Sequence, residues 1–377
     1  MRISFVLPYV GMAGGIRVLA IYAERLHRRG HQVEVVSLPP ARRSIRSKLK
    51  SLMMGHGWSL EQPSESSHFD GLDVPHRVLE RARPVVNGDL PDADVVLASF
   101  WRTGPWVAAL SSAKGAKAIF LQGYETSPGQ EDPAIDAVWR LPLRKIVISH
   151  WMVELARQRF GDNDVLHVPN SVDLDQFHAP SRGKQPVPTV GLLYATIHLK
   201  GVDLSLAALR RVREHYPNLR VIVFGAEPVM SGLPLPDGAE FHYRPPQQHI
   251  RDLYAACDVW LCGSRREGFH LPPLEAMACR CPVVSTRVGG PLDTVIDGVN
   301  GYLVDVDDAI GLGNRVVEVL SASEAEWRRL SDGALATACR YSWDDATDRF
   351  EAALCQVIER SPTVGNYATC APHERTL

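Results

Sequence analysis

Two glutamates, Glu267 and Glu275, lie in the stretch Cys262-Gly-Ser-Arg-Arg-Glu-Gly-Phe-His-Leu-Pro-Pro-Leu-Glu-Ala-Met-Ala-Cys279, close to the charged pair Arg265 and Arg266. Ahead of them runs the short apolar segment Asp258 to Leu261, which reads as a strand. Pro272 and Pro273 fit the first turn of a helix, where their missing N–H groups cost nothing, and Pro282 stops that helix before the strand Val283-Val284-Ser285. The loop carrying Glu267 therefore leaves the carboxyl end of a strand and feeds a helix N-terminus, where open α/β sheets bind anions and nucleotides. On spacing alone, the two carboxylates read first as solvated groups on a helix face.

The elements that hold this stretch belong to a chain of 377 residues, too long for one ordinary core and suited to two domains. With 45% hydrophobic and 22% charged residues and a net charge of −2, it reads as a soluble globular protein with no overall pull toward nucleic acid. No apolar run reaches membrane-spanning length, and Met1 to Pro8 reads as a mature strand without a small-residue cleavage site. The seven cysteines include Cys279-x-Cys281 but no Cys-x-x-Cys, so a reduced, cytoplasmic setting is expected and a zinc site is not.

From the N-terminus, Ile3 to Leu7 reads as a buried strand, Gly11 to Gly15 as a glycine-rich loop, Leu19, Tyr22 and Leu26 as one helix face, and Gln32 to Ser37 as a second strand. Gly11, Gly14 and Gly15 do not form Gly-x-Gly-x-x-Gly, and Ser37 and Leu38 stand where an acidic residue would end the second strand, so a dinucleotide cofactor is not expected. Between residues 39 and 91 the pattern is irregular. There Arg42, Arg43, Arg46, Lys48 and Lys50 surround Ile45, Leu49, Leu52 and Met53, a spacing that suits a helix lying on an anionic membrane surface or packed with a solvated face. Strand and helix then alternate to the end, giving an α/β chain with a first Rossmann-like domain over 1–170, a second over 171–342, a returning helix over 343–360 and a mobile tail over 361–377. Asp173 and Asp175 are expected to cap and turn the linker between the domains.

The glutamate pair with Gly-Phe-His-Leu-Pro-Pro-Leu between, followed by Pro-Val-Val and Gly-Gly, resembles the donor-site signature of the retaining, group 1 glycosyltransferases of glycosyltransferase family 4. That resemblance implies the GT-B fold, two Rossmann-like domains facing each other across a cleft. It implies transfer of a sugar from a nucleoside-diphosphate sugar to a glycan, lipid-linked or small-molecule acceptor, with no cofactor and no metal. Glu267 would hold the donor sugar with the amides of Gly268, Phe269, His270 and Leu271, and Glu275 would accept from the ribose hydroxyls. Lys200, before Gly201 and a helix, resembles the lysine that grips the diphosphate, and Glu267 and Lys200 are the expected catalytic pair.

The chain departs from the family pattern in places. Tyr194 and Ala195 occupy the positions of a second diphosphate cation, so Arg265, Arg266 and then Arg17, with the amides near Gly15, are expected to make up the charge. Gln122, Tyr124 and Glu125 stand where the family often has a histidine after the fourth strand, and are the candidate acceptor residues. Their Gln-Gly-Tyr-Glu wording resembles members that build rhamnose-containing cell-surface glycans. Peripheral contact with the inner face of the membrane through Arg42–Lys50 would suit a lipid-linked acceptor. Two other readings remain open at this stage: a GT-B protein without transfer activity serving as a regulatory partner, and a nucleotide-sugar epimerase or hydrolase on the same fold.

Overall fold

The computed structural model describes residues 1–39, 66–124 and 132–361. The basic stretch Arg42–Lys50, Glu125 and residues 362–377 lie outside the described residues. Among those described, no helix is long and apolar enough to cross a membrane.

Two parallel sheets organise the chain. The first contains β1 (Arg2–Leu7), β2 (Gln32–Ser37), β3 (His76–Val78), β4 (Val95–Ala98), β5 (Ala116–Leu121), β6 (Arg144–Val147) and β7 (Leu166–His167), in the order β3-β2-β1-β4-β5-β6-β7. In the second are β8 (Thr189–Tyr194), β9 (Arg220–Gly225), β10 (Glu240–Tyr243), β11 (Val259–Cys262), β12 (Val283–Thr286) and β13 (Gly301–Val304), ordered β10-β9-β8-β11-β12-β13. Central strands such as β4 and β11 are buried along their whole length, because helices cover both faces of a parallel sheet. Each sheet reverses its strand order beside its first strand, between β1 and β4 and between β8 and β11, the switch points where doubly wound sheets bind ligands.

Two of the four edge strands, β3 and β10, do not stand out in the sequence. Each is short, and β3 is largely exposed, so neither shows the apolar alternation that marks a half-buried strand.

The helices follow from apolar periodicity and end chemistry. The first, α1 (Gly14–Arg28), buries Ile16, Leu19, Ala23 and Leu26 and ends in Arg25, His27 and Arg28, cations that complement the carboxyl end of the helix dipole. The rest of the first domain adds α2 (Gly104–Ala109), α3 (Pro133–Trp139) and α4 (His150–Phe160). Across the second sheet lie α5 (Val202–His215), α6 (Ile250–Ala255), α7 (Leu271–Ala278), α8 (Pro291–Thr294), α9 (Ala309–Ser321) and α10 (Glu324–Ala338). Pro272 and Pro273 sit in the first turn of α7, as their chemistry requires.

The last helix, α11 (Trp343–Glu359), starts at a Ser342–Asp345 capping box and runs back to the first domain. Its Phe350 ring stacks on Tyr22 at 4.2 Å and meets Phe120 edge-on at 5.3 Å. Arg29 pairs with Asp348 at 2.7 Å and Glu351 at 3.0 Å along the same seam. At the crossing between domains, Ser171 Oγ donates to the Tyr341 carbonyl at 2.5 Å, and Asp173 accepts from the amides of Asp175 and Gln176 at 3.0 and 3.2 Å.

Candidate active site

The turn after β8 and the loop after β11 meet at Gly201. Gly201 is in the left-handed region, φ +55°, and a Cβ there would overlap the Gly263 carbonyl, so only glycine lets the two backbones approach this closely. That approach sets Lys200 Nζ 3.0 and 2.8 Å from the two Glu267 oxygens. Ser264 Oγ donates to Glu267 Oε1 at 2.7 Å. Burial alone would push the Glu267 carboxyl up, but His270 and Lys200 outweigh it and hold the group down to about 2. It is therefore a carboxylate at any working pH.

His270 is the residue just before α7 and takes a left-handed conformation, φ +66°, which costs a non-glycine residue about 1–2 kcal/mol. Its side chain is buried, with 4% of its surface exposed. Nδ1 lies 3.0 Å from Glu267 Oε1 without the alignment of a hydrogen bond, and Nε2 has no hydrogen-bond partner among the described residues. That leaves Nε2 available to a ligand group entering the cleft.

One turn into α7, the Glu275 carboxylate is buried and accepts from Tyr254 Oη at 2.9 Å. Its other oxygen accepts from Arg17 Nη1, which reaches across from α1 of the first domain at 3.1 Å. Arg17 also donates to Gln176 Oε1 at 2.7 Å and lies over the Phe177 ring at 5.5 Å. Burial raises the Glu275 carboxyl above the usual range, with Arg17 and Tyr254 opposing that rise.

The first domain closes on this site at Gly268. The Gly268 carbonyl accepts from Ser149 Oγ and from Trp151 Nε1, both at 3.0 Å, and a Cβ on Gly268 would overlap the Gln122 carbonyl. Gln122 Nε2 in turn donates to the Gly15 carbonyl at 3.0 Å, which ties β5 to the start of α1. Beside it opens a cavity of 230 Å³, lined by Tyr9, Gly15, Ser99, Trp101 and Gln122 among others. It lies at the carboxyl ends of β1, β4 and β5, next to the first sheet's switch point.

The structure thus gathers Glu267, Lys200, His270, Glu275 and Arg17 round one cleft, with Gly268 to Leu271 forming the approach to α7. Other expectations need correction. Arg265 is not a spare cation for a diphosphate: Asp203 takes both ends of its guanidinium at 2.8 Å and Asp307 its Nε at 2.7 Å. Tyr124 turns inward, its hydroxyl donating to Asp136 at 2.5 Å, so it does not present that hydroxyl to an acceptor. Arg266, in the loop after β11, reaches over the Tyr124 ring of the first domain at 5.6 Å. Arg17 contributes its charge to Glu275 rather than standing free. Sequence reasoning passed over Ser264, Tyr254, Ser149, Trp151 and Gln176. Ser264, three residues before Glu267 in the same loop, was the one with a local signal; the others are brought in by tertiary packing.

Comparison with known proteins agrees with this architecture. The sequence model of the family described as "Glycosyl transferases group 1" matches residues 186–322. D-inositol 3-phosphate glycosyltransferase from Xylanimonas cellulosilytica is 28% identical over 94% of this chain and 94% of its own length. The enzyme of that name from Geodermatophilus obscurus is 29% identical over 93% of this chain and 87% of its own length. Among solved structures, HepE from Anabaena in complex with UDP-glucose superposes with a TM-score of 0.71 at 17% identity, covering 94% of this chain and 100% of that one. Sucrose-phosphate synthase from Thermosynechococcus elongatus gives 0.70 at 16% identity, covering 96% and 100%. The fold is therefore GT-B, two Rossmann-like domains. Within that fold, residues 186–322 carry the sequence pattern of the group 1 glycosyltransferases.

Proposed function

We propose that the protein transfers a sugar from a nucleoside-diphosphate sugar to a hydroxyl of a glycan, lipid-linked or small-molecule acceptor, with retention of configuration and without a catalytic metal. The observation that carries this reading is the cluster of Lys200 with the buried Glu267, Ser264 and His270 side chains at the start of α7, facing the first domain across Gly268. Lys200 and the amides that open α7 supply fixed positive charge for a departing diphosphate. Glu267, held as a carboxylate, accepts from sugar hydroxyls, and His270 Nε2 is placed to pair with one more. Glu275 accepts from the ribose once Arg17 yields its place. In the transfer the C1–O bond to the phosphate breaks, the acceptor oxygen bonds to C1, and the acceptor proton passes to the leaving phosphate oxygen. The acceptor is proposed to enter by the cavity near Trp101 and Gln122, whose aromatic wall suits the apolar face of a sugar ring.

Calorimetry on two variants tests the site. Glu275→Ala is expected to weaken both UDP and a UDP-sugar, whereas Glu267→Ala weakens mainly the intact donor and abolishes turnover. Normal nucleotide binding and full transfer in both variants would overturn the assignment. The configuration of the new bond by NMR, and transfer in excess chelator, test retention and metal independence. Diphosphate release without acceptor would favour a hydrolase, and failure of every nucleotide sugar to bind would favour a non-catalytic partner. A role in polysaccharide synthesis and seating on the membrane through Arg42–Lys50 rest on sequence resemblance and charge pattern. Salt-sensitive sedimentation with anionic vesicles, lost when Arg42, Arg43 and Arg46 become Ser, tests the seating; no vesicle binding at low salt would refute it.

A further inference from the structure

The geometry points to a transition-metal site outside the donor pocket, formed by His150, His167 and Asp293, that we propose clamps the two domains together. His150 is the first residue of α4 and His167 lies in β7, both in the first domain; Asp293 lies in α8 of the second. Each offers a ligand atom, and these atoms all lie within 4.8 Å of one another. His150 Nδ1 is 3.3 Å from Asp293 Oδ1, and the two imidazole rings are 4.1 Å apart. His167 Nε2 is buried and has no hydrogen-bond partner among the described residues. An orphaned buried nitrogen beside a second imidazole and a carboxylate is an arrangement that a cation completes.

Dimensions and donor types agree with that reading. Zinc holds imidazole nitrogen and carboxylate oxygen at about 2.0–2.2 Å, so its tetrahedral ligands stand about 3.3 Å apart. His150 and Asp293 already have that separation, and the His150 side chain, 70% exposed, is able to turn the remaining distance toward His167. The His150 amide donates to Asp293 Oδ2 at 3.0 Å, which fixes the carboxylate with Oδ1 toward the rings, an outer contact of the kind that orients metal ligands. Two imidazoles with one carboxylate favour zinc, cobalt, nickel or copper over magnesium and calcium, with water completing the coordination. Neutral imidazoles and one carboxylate balance half of a divalent charge, which suits a bound hydroxide or a second anion in the open position.

The location gives the site a consequence. His150 is flanked by Ser149 and Trp151, the two residues that grip the Gly268 carbonyl, and Asp293 follows closely on Gly290, which packs against Phe269. An ion here would fasten the halves where the donor loop meets the first domain. It takes no part in sugar transfer, so the inference stands apart from the proposed reaction.

Full-length protein stripped with chelator and titrated with zinc is expected to take up one tight equivalent and to unfold at a higher temperature. His150→Ala and Asp293→Asn, measured separately, are each expected to lose that equivalent and the thermal shift while unfolding like wild type in chelator. Because the His150 side chain is exposed, its loss leaves the core intact. Cobalt in place of zinc is expected to show visible d–d bands without thiolate charge transfer. Absence of stoichiometric uptake, uptake that survives both variants, or a thiolate band pointing to cysteine ligands would each overturn the proposal.

Discussion

Breaking the contact between Arg17 and Glu275 tests whether the cleft is closed in solution as described. The two side chains are 17% and 10% exposed, so solvent screens their attraction little. Arg17→Met keeps the stem over Phe177 and removes the charge, leaving the Glu275 carboxylate with Tyr254 as its remaining donor among the contacts described. One hydrogen bond to a charged group is worth about 1.5–3 kcal/mol, and that is the expected coupling energy in a cycle of Arg17→Met, Glu275→Gln and the double variant. Urea unfolding followed by tryptophan fluorescence supplies the free energies, with circular dichroism as the check that both domains unfold together. The deficit of Arg17→Met is also expected to shrink in mild acid. Burial raises the folded-state pKa of Glu275 above its unfolded value, so the native state binds the extra proton and gains stability as pH falls through that window. Coupling below about 0.5 kcal/mol, the level at which independent sites add, would refute the bridge and with it the closed cleft.

Three further outcomes follow from the same geometry. Gly268→Ala forces the donor loop off Gln122 and weakens two hydrogen bonds of about 0.5–1.5 kcal/mol each, so transfer is expected to fall about tenfold or more and X-ray scattering to show a wider molecule; unchanged values for both would contradict the close approach. Glu267 titrates at about 2 when folded against an ordinary value near 4.5, so its stabilisation is complete above that ordinary value and disappears as pH falls toward the lower one. Glu267→Gln is expected to flatten this part of the acid-unfolding curve, and an identical slope in both proteins would show that the carboxylate is not held as described. Arg265→Ala is expected to lower thermal stability while leaving UDP affinity within about twofold, because Asp203 and Asp307 already occupy the guanidinium; a loss of about tenfold would place Arg265 on the diphosphate instead.

Much of the fold is written in local patterns. The run of apolar strands, the prolines opening α7 and the Ser342-x-x-Asp345 box are signals that act over a few residues, and tertiary packing reinforces them. Glu267 and Glu275 were legible for the same reason, since their neighbours fix the loop and helix they sit on. Side-chain pairing was less so. Nothing near Arg265 in sequence reveals that Asp203 and Asp307 converge on it, 62 and 42 residues away. Tyr124 reads as a cleft residue because it follows a strand, yet its hydroxyl finds Asp136 on the next helix. The edge strands β3 and β10 escaped because they are short and none of their residues is fully buried, so they carry no apolar pattern.

The return of α11 to the first domain also has a meaning in time. Phe350 fills the space between Tyr22 and Phe120, so the first domain's aromatic centre is completed by a residue made long after the rest of that domain has left the ribosome. At about 5–20 residues per second, the wait between β7 and α11 lasts on the order of ten seconds or more. Through that interval Tyr22 and Phe120 have no lid, and the nascent first half is a natural client for a chaperone. The second half has its own sheet and its own core round Trp327 and Leu209, and is able to fold while the first waits. Although the first domain is the earlier one in the gene, it is the later one to be finished.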